Sequence, residues 1–442
     1  MKRDLYKQLF RWKHSPDRQP LLLQGARQVG KTYLLKEFGT QEYKNLCYIN
    51  FEEMPACKSF FDADLNPRRI VRDLEIHLEM KIDPQQTLIV FDEVQECPNA
   101  LTSLKYFYEH APEYSVAAAG SLLGVKLSGA RGFPVGKVQF FHLYPMNFFE
   151  FLSAINKSQL RGLLEEIKTF EPIAEPHHQQ LLDLLKIYFY VGGMPRPVLS
   201  YVQTGNLEKV REIQEDILKA YVHDFAKHAP PSLVMKIMQI WDSIPVHLGK
   251  ENKKFVFSAI RKSARARDYE EALQWLLDAE LIDRIYQIST PKIPLRSYGD
   301  HESFKIYLLD VGLLGAMCRL PARVIVEGDA LFIEFKGSFT ENYVAESLKA
   351  ASKGPLHYWT SQANAEVDFL VEQEGEIFPL EVKSGTSTKK KSLLVYQEKY
   401  HPSALSRSSL MNLKRDGKVC NYPLYFISRF PLENSPPRTL PS

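Results

Sequence analysis

Cysteine is scarce in this chain of 442 residues, and the few cysteines form no cluster. They stand singly at Cys47, Cys57, Cys97, Cys318 and Cys420, with no Cys-x-x-Cys pair and no histidine at metal-ligand spacing. This pattern excludes a recognisable zinc module or disulfide framework. No run of about 18 apolar residues occurs, and the polar N-terminus lacks the apolar stretch of a secretion signal. We therefore expect a protein of the reducing cytosol with no membrane partner.

Net charge is also small, at +3 from 56 Lys and Arg against 53 Asp and Glu. So small a value neither demands nor excludes nucleic acid, because a binding face needs only a local concentration of basic side chains. The composition, with 45% hydrophobic and 25% charged residues, is typical of a soluble globular protein. At about 100–200 residues per domain, the length predicts about two to four domains.

Short apolar runs alternate with amphipathic segments in the first third of the chain. The runs lie at residues 21–23, 46–51, 87–91 and 114–119, and a helix is predicted from Lys31 onward. Strands that are buried on both faces and separated by helices are typical of a parallel sheet in an α/β fold. We therefore predict an α/β domain with a parallel sheet over residues 1–155.

A mostly helical region is predicted over residues 156–230, where it would form a helical lid. Two prolines among polar residues mark a loop at 171–176, and Gly192-Gly193-Met194-Pro195 marks a second break. His177 and His178 have no carboxylate or cysteine partner at useful spacing, so we interpret them as surface residues of the first loop.

Residues 231–300 carry a helix pattern followed by a strand pattern. One helical stripe is made of Tyr269, Ala272, Leu273, Leu276 and Leu277. Residues 281–288 then alternate as a strand does. The preceding basic stretch consists of Lys250, Lys253, Lys254, Arg261, Lys262, Arg265 and Arg267. This order favours a small winged-helix-like module, and a packing domain with a solvated charged face is the alternative.

A glycine-rich loop follows the first apolar run and opens the first predicted helix. Its residues are Gly25, Ala26, Arg27, Gln28, Val29, Gly30, Lys31 and Thr32. The spacing Gly-x-x-x-x-Gly-Lys-Thr between a strand and a helix is typical of a loop whose backbone N–H groups face nucleotide phosphates. In such a loop, Lys31 reaches the β and γ phosphates and Thr32 offers its hydroxyl to Mg²⁺. The pattern therefore predicts a binding site for ATP with Mg²⁺.

Two carboxylates follow the apolar run at 87–91 and supply the second half of such a site. We predict that Asp92 holds Mg²⁺ through water and that Glu93 orients or deprotonates the attacking water. Ser121 follows the run at 114–119 and Gly120, which places a hydroxyl where a sensor of the γ-phosphate or water is expected. Serine after glycine is also ordinary turn chemistry, so both interpretations of Ser121 stay open.

Several of these segments together resemble a known group of proteins. They are Gly-Ala-Arg-Gln-Val-Gly-Lys-Thr, Phe-Asp-Glu-Val-Gln-Glu-Cys-Pro, Gly-Ser-Leu-Leu-Gly, Phe-Pro-Val-Gly-Lys-Val and Leu-Tyr-Pro-Met-Asn-Phe-Phe-Glu-Phe-Leu. The chain is similar to prokaryotic AAA+ ATPases of the AAA_14 type that carry a C-terminal DUF4143 domain. The resemblance implies ATP binding and hydrolysis, with Ser121 as a sensor. It also implies a homo-oligomer in which Lys137, Arg131 or Arg196 acts on a neighbour's phosphate.

A second set of charged residues lies in the region 301–430, which mixes strand and helix patterns. Two strands of a predicted hairpin, at 365–370 and 377–383, would bring Asp368 close to Glu381 and Lys383. Two carboxylates can hold Mg²⁺ there, while the lysine orients water or stabilises charge on a phosphate. This layout resembles the PD-(D/E)xK nucleases, so we predict a restriction-endonuclease-like α/β domain.

Flanking residues extend that resemblance. Glu341, on a helix expected to begin at Thr340, matches the extra carboxylate of such nucleases, so the predicted metal ligands are Glu341, Asp368 and Glu381. Residues 396–400 resemble their glutamine and tyrosine motif. Lys389, Lys390 and Lys391 lie either along a phosphate backbone or in a solvated loop. Residues 431–442, with four prolines and few apolar residues, are predicted to be a flexible tail.

Two functions are consistent with this sequence. The first is an ATP-driven machine on DNA, in which the N-terminal ATPase controls a nuclease-like domain with the catalytic residues Asp368, Glu381 and Lys383. The second is a nucleotide-dependent switch whose C-terminal domain binds nucleic acid or protein without cleaving it. Lys31, Asp92 and Glu93 are essential under both.

Overall fold

A computed structural model describes residues 1–121, 124, 136–249, 254–262, 264–322, 332–361, 365–386 and 391–432. Two compact units make up the chain. The first comprises Met1–Tyr144 with Asp278–Leu281, and the second comprises Pro145–Leu277 with Ile282–Ser442. Lys389, Lys390 and most of the predicted tail lie outside the described residues, as do Lys250 and Lys253 of the basic stretch.

The first unit is built on a parallel sheet whose described strands run in the order β2-β3-β4-β1-β5. The strands are β1 (Leu21–Gln24), β2 (Asn45–Asn50), β3 (Thr87–Asp92), β4 (Ser115–Ala119) and β5 (Gln139–His142). Each neighbouring pair is parallel. Every residue of β3 and β4 is buried, as strands covered by helices on both faces require. The predicted α/β fold with a parallel sheet is confirmed.

Helices and aromatic side chains cover this sheet. The helices are α1 (Leu5–Lys13), α2 (Lys31–Glu42), α3 (Pro67–Leu78) and α4 (Pro98–His110). On one face, the ring of Phe91 lies 5.8 Å from Phe51 and 5.4 Å from Phe61, centroid to centroid. Such aromatic contacts stabilise a core beyond the area they bury. They fix the end of β3, immediately before Asp92.

The carboxyl ends of the parallel strands meet at one edge of the sheet, where open α/β sheets bind their ligands. The glycine-rich loop leaves the end of β1, and the β2–β3 register pairs Asn50 with Asp92. Both halves of the predicted nucleotide site therefore lie at the same edge.

The second unit begins with helices, as predicted for residues 156–230. Those up to residue 278 are α5 (Phe148–Ala154), α6 (Ser158–Glu166), α7 (Glu175–Val191), α8 (Pro195–Thr204), α9 (Leu207–His228), α10 (Pro231–Leu248) and α11 (Ala266–Asp278). Helix α11 contains the stripe predicted at 269–277. No helix of the described residues is both long enough and apolar enough to cross a membrane.

The interpretation of His178 as a surface residue of a loop is wrong. Helix α7 begins at Glu175, because Pro176 is tolerated in a first turn, where a backbone N–H has no partner within the helix. The helix therefore includes both His177 and His178. His177 is exposed, but His178 is buried, and its Nδ1 lies 2.6 Å from the hydroxyl of Tyr425. Burial lowers the pKa of His178 below its usual value. His178 therefore joins α7 to a segment 247 residues away.

A mixed sheet forms the rest of the second unit, with the described strands in the order β12-β13-β11-β10-β9-β8-β6-β7. They are β6 (Ile282–Ile288), β7 (Gly299–Leu308), β8 (His357–Thr360), β9 (Glu366–Gln373), β10 (Glu376–Val382), β11 (Leu405–Ser409), β12 (Lys414–Asp416) and β13 (Val419–Pro423). Strand β6 pairs antiparallel with β7 and parallel with β8. The strand predicted at 281–288 therefore shares a sheet with the C-terminal strands, and the domain boundaries stay predictions.

Helices α12 (Val311–Met317), α13 (Phe332–Ala350) and α14 (Lys391–Tyr400) complete the second unit. The helix expected to begin at Thr340 begins eight residues earlier, at Phe332. On α14, Tyr396 is buried and its ring packs edge-on against Trp359 at 5.2 Å. This tyrosine of the predicted nuclease motif therefore belongs to the apolar core around β8 and β9.

Candidate functional site

The glycine-rich loop has backbone conformations that explain its two glycines. Gly25 has a φ of 146° and Gly30 a φ of 97°, in the region that side chains with a Cβ rarely adopt. A Cβ on Gly25 would also lie 2.3 Å from the carbonyl oxygen of Leu143. The loop therefore folds close to its neighbours, which leaves its backbone N–H groups able to face an anion at the start of α2.

Lys31 is buried at the first position of α2. Its Nζ donates to the carbonyl oxygens of Gly25, at 2.7 Å, and Ala26, at 2.9 Å. Burial lowers the pKa of Lys31 to about 8, although the carboxylates of Glu93, Glu280 and Asp92 oppose that shift. The ammonium group thus lies inside the loop with acidic groups in electrostatic range.

Arg3 supports this loop from the N-terminal segment. Its side chain is buried, with Nη1 donating to the carbonyl of Val29 at 2.9 Å and Nη2 to that of Tyr144 at 2.5 Å. Hydrogen bonds from a charged donor are stronger than neutral ones. Sequence reasoning missed Arg3, because a single arginine near the N-terminus carries no motif.

Thr32 and Asp92 come together as predicted. The Thr32 hydroxyl donates to Asp92 Oδ2 at 2.6 Å, although 60 residues separate them in sequence. Asp92 is only 1% exposed, and its Oδ1 accepts a bond from the N–H of Glu93 at 3.0 Å. A hydroxyl beside a carboxylate at the mouth of a phosphate-binding loop is the donor set that holds Mg²⁺ with nucleotide phosphates. These side chains therefore fit a magnesium ion.

Tyr48, on β2, is a further contact of Asp92 that sequence reasoning missed. Its hydroxyl donates to Asp92 Oδ2 at 2.8 Å, beside the bond from Thr32. Burial and the negative charge of Asp92 both raise the pKa of Tyr48 above its usual value. The ammonium of Lys36 lies 3.7 Å from the centre of the Tyr48 ring. The same carboxylate oxygen therefore receives two hydroxyl groups, from α2 and from β2.

Glu93 and Ser121 also lie together. Glu93 has a φ of 49°, so the chain turns sharply after β3. The Ser121 hydroxyl lies 3.2 Å from Glu93 Oε1 and 3.3 Å from Oε2. Gln95 Nε2 donates to Glu93 Oε2 and is another residue that sequence reasoning missed. The predicted base and the predicted sensor are thus direct neighbours.

The three candidates for a residue that acts on a neighbouring subunit are in different places. Lys137 Nζ lies 3.5 Å from Glu109 Oε1 and 5.3 Å from the ring centre of Tyr108. Arg196 is exposed on α8 of the second unit. Arg131 lies outside the described residues. The trans-acting role therefore stays a prediction for each.

The predicted hairpin near the C-terminus forms from β9 and β10, whose antiparallel register pairs Phe369 with Leu380. Asp368 is close to the following residues of β10, because its Oδ2 accepts a bond from the N–H of Val382 at 2.7 Å. Lys383 Nζ lies 2.8 Å from Glu381 Oε1. The three residues predicted from the hairpin therefore surround one end of it.

Glu341 approaches the same hairpin from α13, but with partners that were not predicted. The hydroxyl of Tyr307 donates to Glu341 Oε2 at 3.2 Å, and Lys305 Nζ lies 3.9 Å from that oxygen. Lys305 also pairs with Glu366. Burial would lower the pKa of Lys305, but the carboxylates of Glu341, Glu366 and Asp368 outweigh it and raise that pKa above its usual value.

The charges of this acidic cluster, which we define as Glu341, Glu366 and Asp368, affect one another. Burial, with the nearby charge of Glu341, raises the pKa of Asp368 to about 7, and Lys305 opposes the shift. Sequence reasoning missed Lys305, Tyr307 and Glu366, because a single lysine or tyrosine on a predicted strand carries no motif.

Glu381 has a different environment. Its Oε2 is buried and accepts no hydrogen bond from the described residues. The guanidinium of Arg407 is also buried and lies within electrostatic range, since Glu381 opposes the lowering of the Arg407 pKa by burial. Glu381 therefore lies among cations, with Lys383 as its direct partner.

The predicted metal ligands Glu341, Asp368 and Glu381 all approach the β9–β10 hairpin, and their role as metal ligands stays a prediction. Across the part of the chain that the structure describes, no three histidine, cysteine, aspartate or glutamate side chains are grouped so that they could hold a metal ion. The ammonium of Lys305 lies beside both Glu341 and Glu366. Its charge opposes a divalent ion at these carboxylates, whereas no ammonium contact of this kind is described at Asp92.

Comparison with protein families places an AAA domain at residues 17–152 and a DUF4143 domain at residues 336–426. Between them, residues 182–324 match DUF8612, a domain of unknown function. The AAA match covers the glycine-rich loop, Asp92, Glu93 and Ser121, and the DUF4143 match covers Glu341, Asp368, Glu381 and Lys383. The N-terminal part of the chain therefore matches an AAA domain and the C-terminal part matches a DUF4143 domain.

The curated relatives match a short part of the chain. Two uncharacterized proteins, Mb2031c of Mycobacterium bovis and Rv2008c of Mycobacterium tuberculosis, are each 33% identical over 124 residues, which are 28% of this chain. The chain matches only 25% of the length of each. Among solved structures, the Walker-type ATPase PABY2304 of Pyrococcus abyssi is 12% identical over 71% of this chain and 95% of its own, with a TM-score of 0.44.

Proposed function

We propose that this chain binds ATP with Mg²⁺ at the loop Gly25–Thr32 and hydrolyses it. The observation that carries the proposal is the 2.6 Å contact between Thr32 and Asp92 beside that loop. Lys31 contacts the β and γ phosphates, and Thr32 and Asp92 hold the metal, Asp92 through water. Bound Mg²⁺ supplies positive charge that neutralises the phosphate oxygens.

Glu93 is the base in the proposed reaction. A water oxygen attacks the γ-phosphorus, the bond to the β–γ bridging oxygen breaks, and a proton of the water passes to the Glu93 carboxylate. The products are phosphate and ADP. Ser121 and Gln95 contact the Glu93 carboxylate and so keep it in one orientation.

Nucleotide binding and phosphate release test this proposal separately. Lys31→Ala should lose affinity for ATP, and Thr32→Ala should retain ATP affinity without Mg²⁺ but lose the increase that Mg²⁺ gives. Titration calorimetry with and without Mg²⁺, alongside a phosphate-release assay, measures both. Equal Mg²⁺ dependence of wild type and Thr32→Ala would rule out the proposed metal site.

We also propose that the second unit contacts DNA through a basic surface at the N-terminal end of α11. The surface consists of Arg261, Lys262, Arg265 and Arg267, all of which are exposed. Basic side chains on one segment contact phosphates and release counterions, so the affinity should fall steeply with salt. Replacing all four by glutamine should weaken DNA binding and flatten its salt dependence. Arg68→Gln with Arg72→Gln, at exposed arginines of α3, is the control, and an equal loss in both variants contradicts the proposal.

A second candidate function concerns the C-terminal domain, for which the sequence left cleavage and binding open. The position of Lys305 among the carboxylates favours the nucleotide-dependent switch, in which this domain binds DNA or a protein without metal-dependent cleavage. Linear, circular and single-stranded DNA should stay intact with Mg²⁺, with or without ATP. Degradation by wild type that Asp368→Ala abolishes, at unchanged ATP turnover, supports the predicted nuclease instead.

The proposed function also concerns how the chain assembles and where it is located. We propose a homo-oligomer in which a basic residue of one chain contacts the nucleotide of the next, and light scattering with and without ATP measures its formation. A single-chain mass under both conditions contradicts it. All five cysteines have free thiols, which is consistent with the proposed cytosolic location.

A further inference from the structure

Lys305 is the buried cation of the acidic cluster. It lies on β7 with only 1% of its surface exposed. Its ammonium pairs with Glu366, lies 3.9 Å from Glu341 Oε2 and lies 4.8 Å from the centre of the Tyr358 ring. Carboxylates and the face of an aromatic ring are the groups that attract a cation in a protein interior.

The sheet explains why these side chains meet. Residues two apart on a strand point to the same face, so Lys305 and Tyr307 share one face of β7, and both contact Glu341. In the same way, Glu366 and Asp368 share one face of β9. The strand pairing, together with α13, therefore brings one lysine and three carboxylates to one place.

One oxygen of Asp368 and one oxygen of Glu381 are also engaged by protein groups, whereas Glu381 Oε2 accepts no hydrogen bond from the described residues. Asp368 Oδ2 accepts the bond from the N–H of Val382, and Glu381 Oε1 contacts Lys383. Mg²⁺ demands near-octahedral oxygen ligands at about 2.0–2.1 Å. A divalent ion bound to Glu341 and Glu366 would lie beside a buried ammonium, and like charges at such a distance repel strongly away from water.

We propose that Lys305 is the built-in counter-ion of the acidic cluster and prevents it from binding a divalent metal ion. The lysine supplies the positive charge that a metal would otherwise bring, at a fixed position and without dependence on metal concentration. Lys305 is thereby the residue that determines the cation specificity of this site. The inference deepens the non-cleaving function proposed for the C-terminal domain and rests on it for its biological meaning.

Removing the charge of Lys305 while keeping its stem should create a metal site. In Lys305→Met, three carboxylates remain without their cation, which destabilises a buried site unless another cation enters. We therefore expect Lys305→Met to bind a single additional Mn²⁺ per chain, and Lys305→Met with Asp368→Asn to lose that gain. The matched control is Lys349→Met, because Lys349 pairs with the carboxylate of Asp283, which lies outside the acidic cluster. That variant should gain no Mn²⁺.

Mn²⁺ titration of the full chain without nucleotide, followed by electron paramagnetic resonance, tests the proposal. Wild type and Asp368→Asn should bind equal amounts of Mn²⁺, because the cluster holds none. More Mn²⁺ on wild type than on Asp368→Asn overturns the proposal, as does a folded Lys305→Met that gains no ion.

Thermal melting provides a second measurement that is informative even when Lys305→Met folds poorly. Mn²⁺ should raise the melting temperature of Lys305→Met and have the same effect on wild type as on Asp368→Asn. A rise in wild type that Asp368→Asn abolishes contradicts the proposal. Loss of ATP turnover or of DNA binding leaves both measurements unaffected, so a failure of the proposed function and a failure of this inference are distinguishable.

Discussion

The Thr32 hydroxyl donates a hydrogen bond to Asp92 Oδ2 at 2.6 Å. Thr32 comes from the first turn of α2 and Asp92 from the end of β3, so the contact joins the two halves of the nucleotide site through the parallel sheet. The hydroxyl of Tyr48 reaches the same oxygen at 2.8 Å. The orientation of the Asp92 carboxylate therefore depends on side chains from two other elements, α2 and β2.

Tyr48→Phe should weaken the response to Mg²⁺. The substitution removes the second hydrogen bond to Asp92 and leaves the ring in place, so the carboxylate is less well oriented. A hydrogen bond of this kind contributes about 1 kcal/mol, so we expect the Mg²⁺ concentration for half-maximal ATP turnover to rise by roughly 5-fold. Turnover at saturating Mg²⁺ should change less.

Tyr6→Phe is the control, because it removes a hydrogen bond of 2.8 Å to another carboxylate, Glu42. An unchanged Mg²⁺ dependence in Tyr48→Phe rules out this role for Tyr48.

Arg3→Gln should loosen the glycine-rich loop. The substitution removes the charged hydrogen bonds to the carbonyls of Val29 and Tyr144, of which the first is buried, and such a loss costs about 1–3 kcal/mol. We expect a lower melting temperature and a weaker affinity for ATP, measured by thermal unfolding and titration calorimetry. Arg11→Gln, at an exposed position of α1, should leave both unchanged. Native ATP affinity in Arg3→Gln would show that the loop is held without it.

Gly25→Ala should abolish nucleotide binding while the unit stays folded. The added Cβ meets the carbonyl oxygen of Leu143 at 2.3 Å, and the φ of 146° is strained for alanine. The matched control is Gly162→Ala on α6, where a Cβ has no heavy atom within 4 Å. That control should stabilise the chain by about 0.5–1 kcal/mol. Unimpaired ATP binding by Gly25→Ala contradicts the assigned role of this loop.

The arrangement of the proposed nucleotide site was predictable because its residues belong to two short motifs, each within one strand–turn segment. Lys31, Thr32, Asp92 and Glu93 follow directly from these local patterns. Tyr48 did not, since it is adjacent only through the β2–β3 register, which pairs it with Val90. The parallel sheet was predictable for the same local reason, because each buried strand is a short apolar run.

Contacts between distant segments of the second unit were not predictable. His178 was expected in a loop, but Tyr425 lies 247 residues away in sequence and buries it. Lys305 is one lysine on a strand, and its three carboxylate neighbours come from β9 and α13. Their meeting depends on how β6 to β9 pair, which no local pattern in the sequence specifies.

Asp310 should make stability depend on pH. It is buried at the start of α12 and accepts bonds from the N–H groups of Gly193, at 2.5 Å, and Leu313, at 2.8 Å. Burial raises its pKa to about 6, against the effect of those bonds. Because the pKa of Asp310 is higher in the folded chain than its unfolded value of 3.8, this carboxyl group stabilises the folded chain fully at a pH below 3.8. That stabilisation is lost as the pH rises through about 6.

Asp310→Asn replaces the carboxyl group by an amide, which does not titrate in this pH range. The free energy of unfolding of wild type should therefore fall relative to that of Asp310→Asn, by roughly 1–2 kcal/mol between pH 5 and pH 7. Urea unfolding of both chains at several pH values measures the difference, which includes the response of Glu346, whose pKa is raised by burial and by the charge of Asp310. A difference that stays constant with pH contradicts the shifted pKa of Asp310.

Glu93 is proposed to activate the water that attacks ATP. Glu93→Gln keeps the size of the side chain and removes its ability to accept the proton. Single-turnover hydrolysis of radiolabelled ATP by wild type, Glu93→Gln and Glu52→Gln measures the chemical step, and calorimetry measures ATP binding. Glu52→Gln is the control, because it makes the same exchange at an exposed glutamate shortly after β2. Glu93→Gln should bind ATP as wild type does while the rate of the chemical step falls by about two orders of magnitude or more. An undiminished rate of that step in Glu93→Gln, with native ATP binding, contradicts the account.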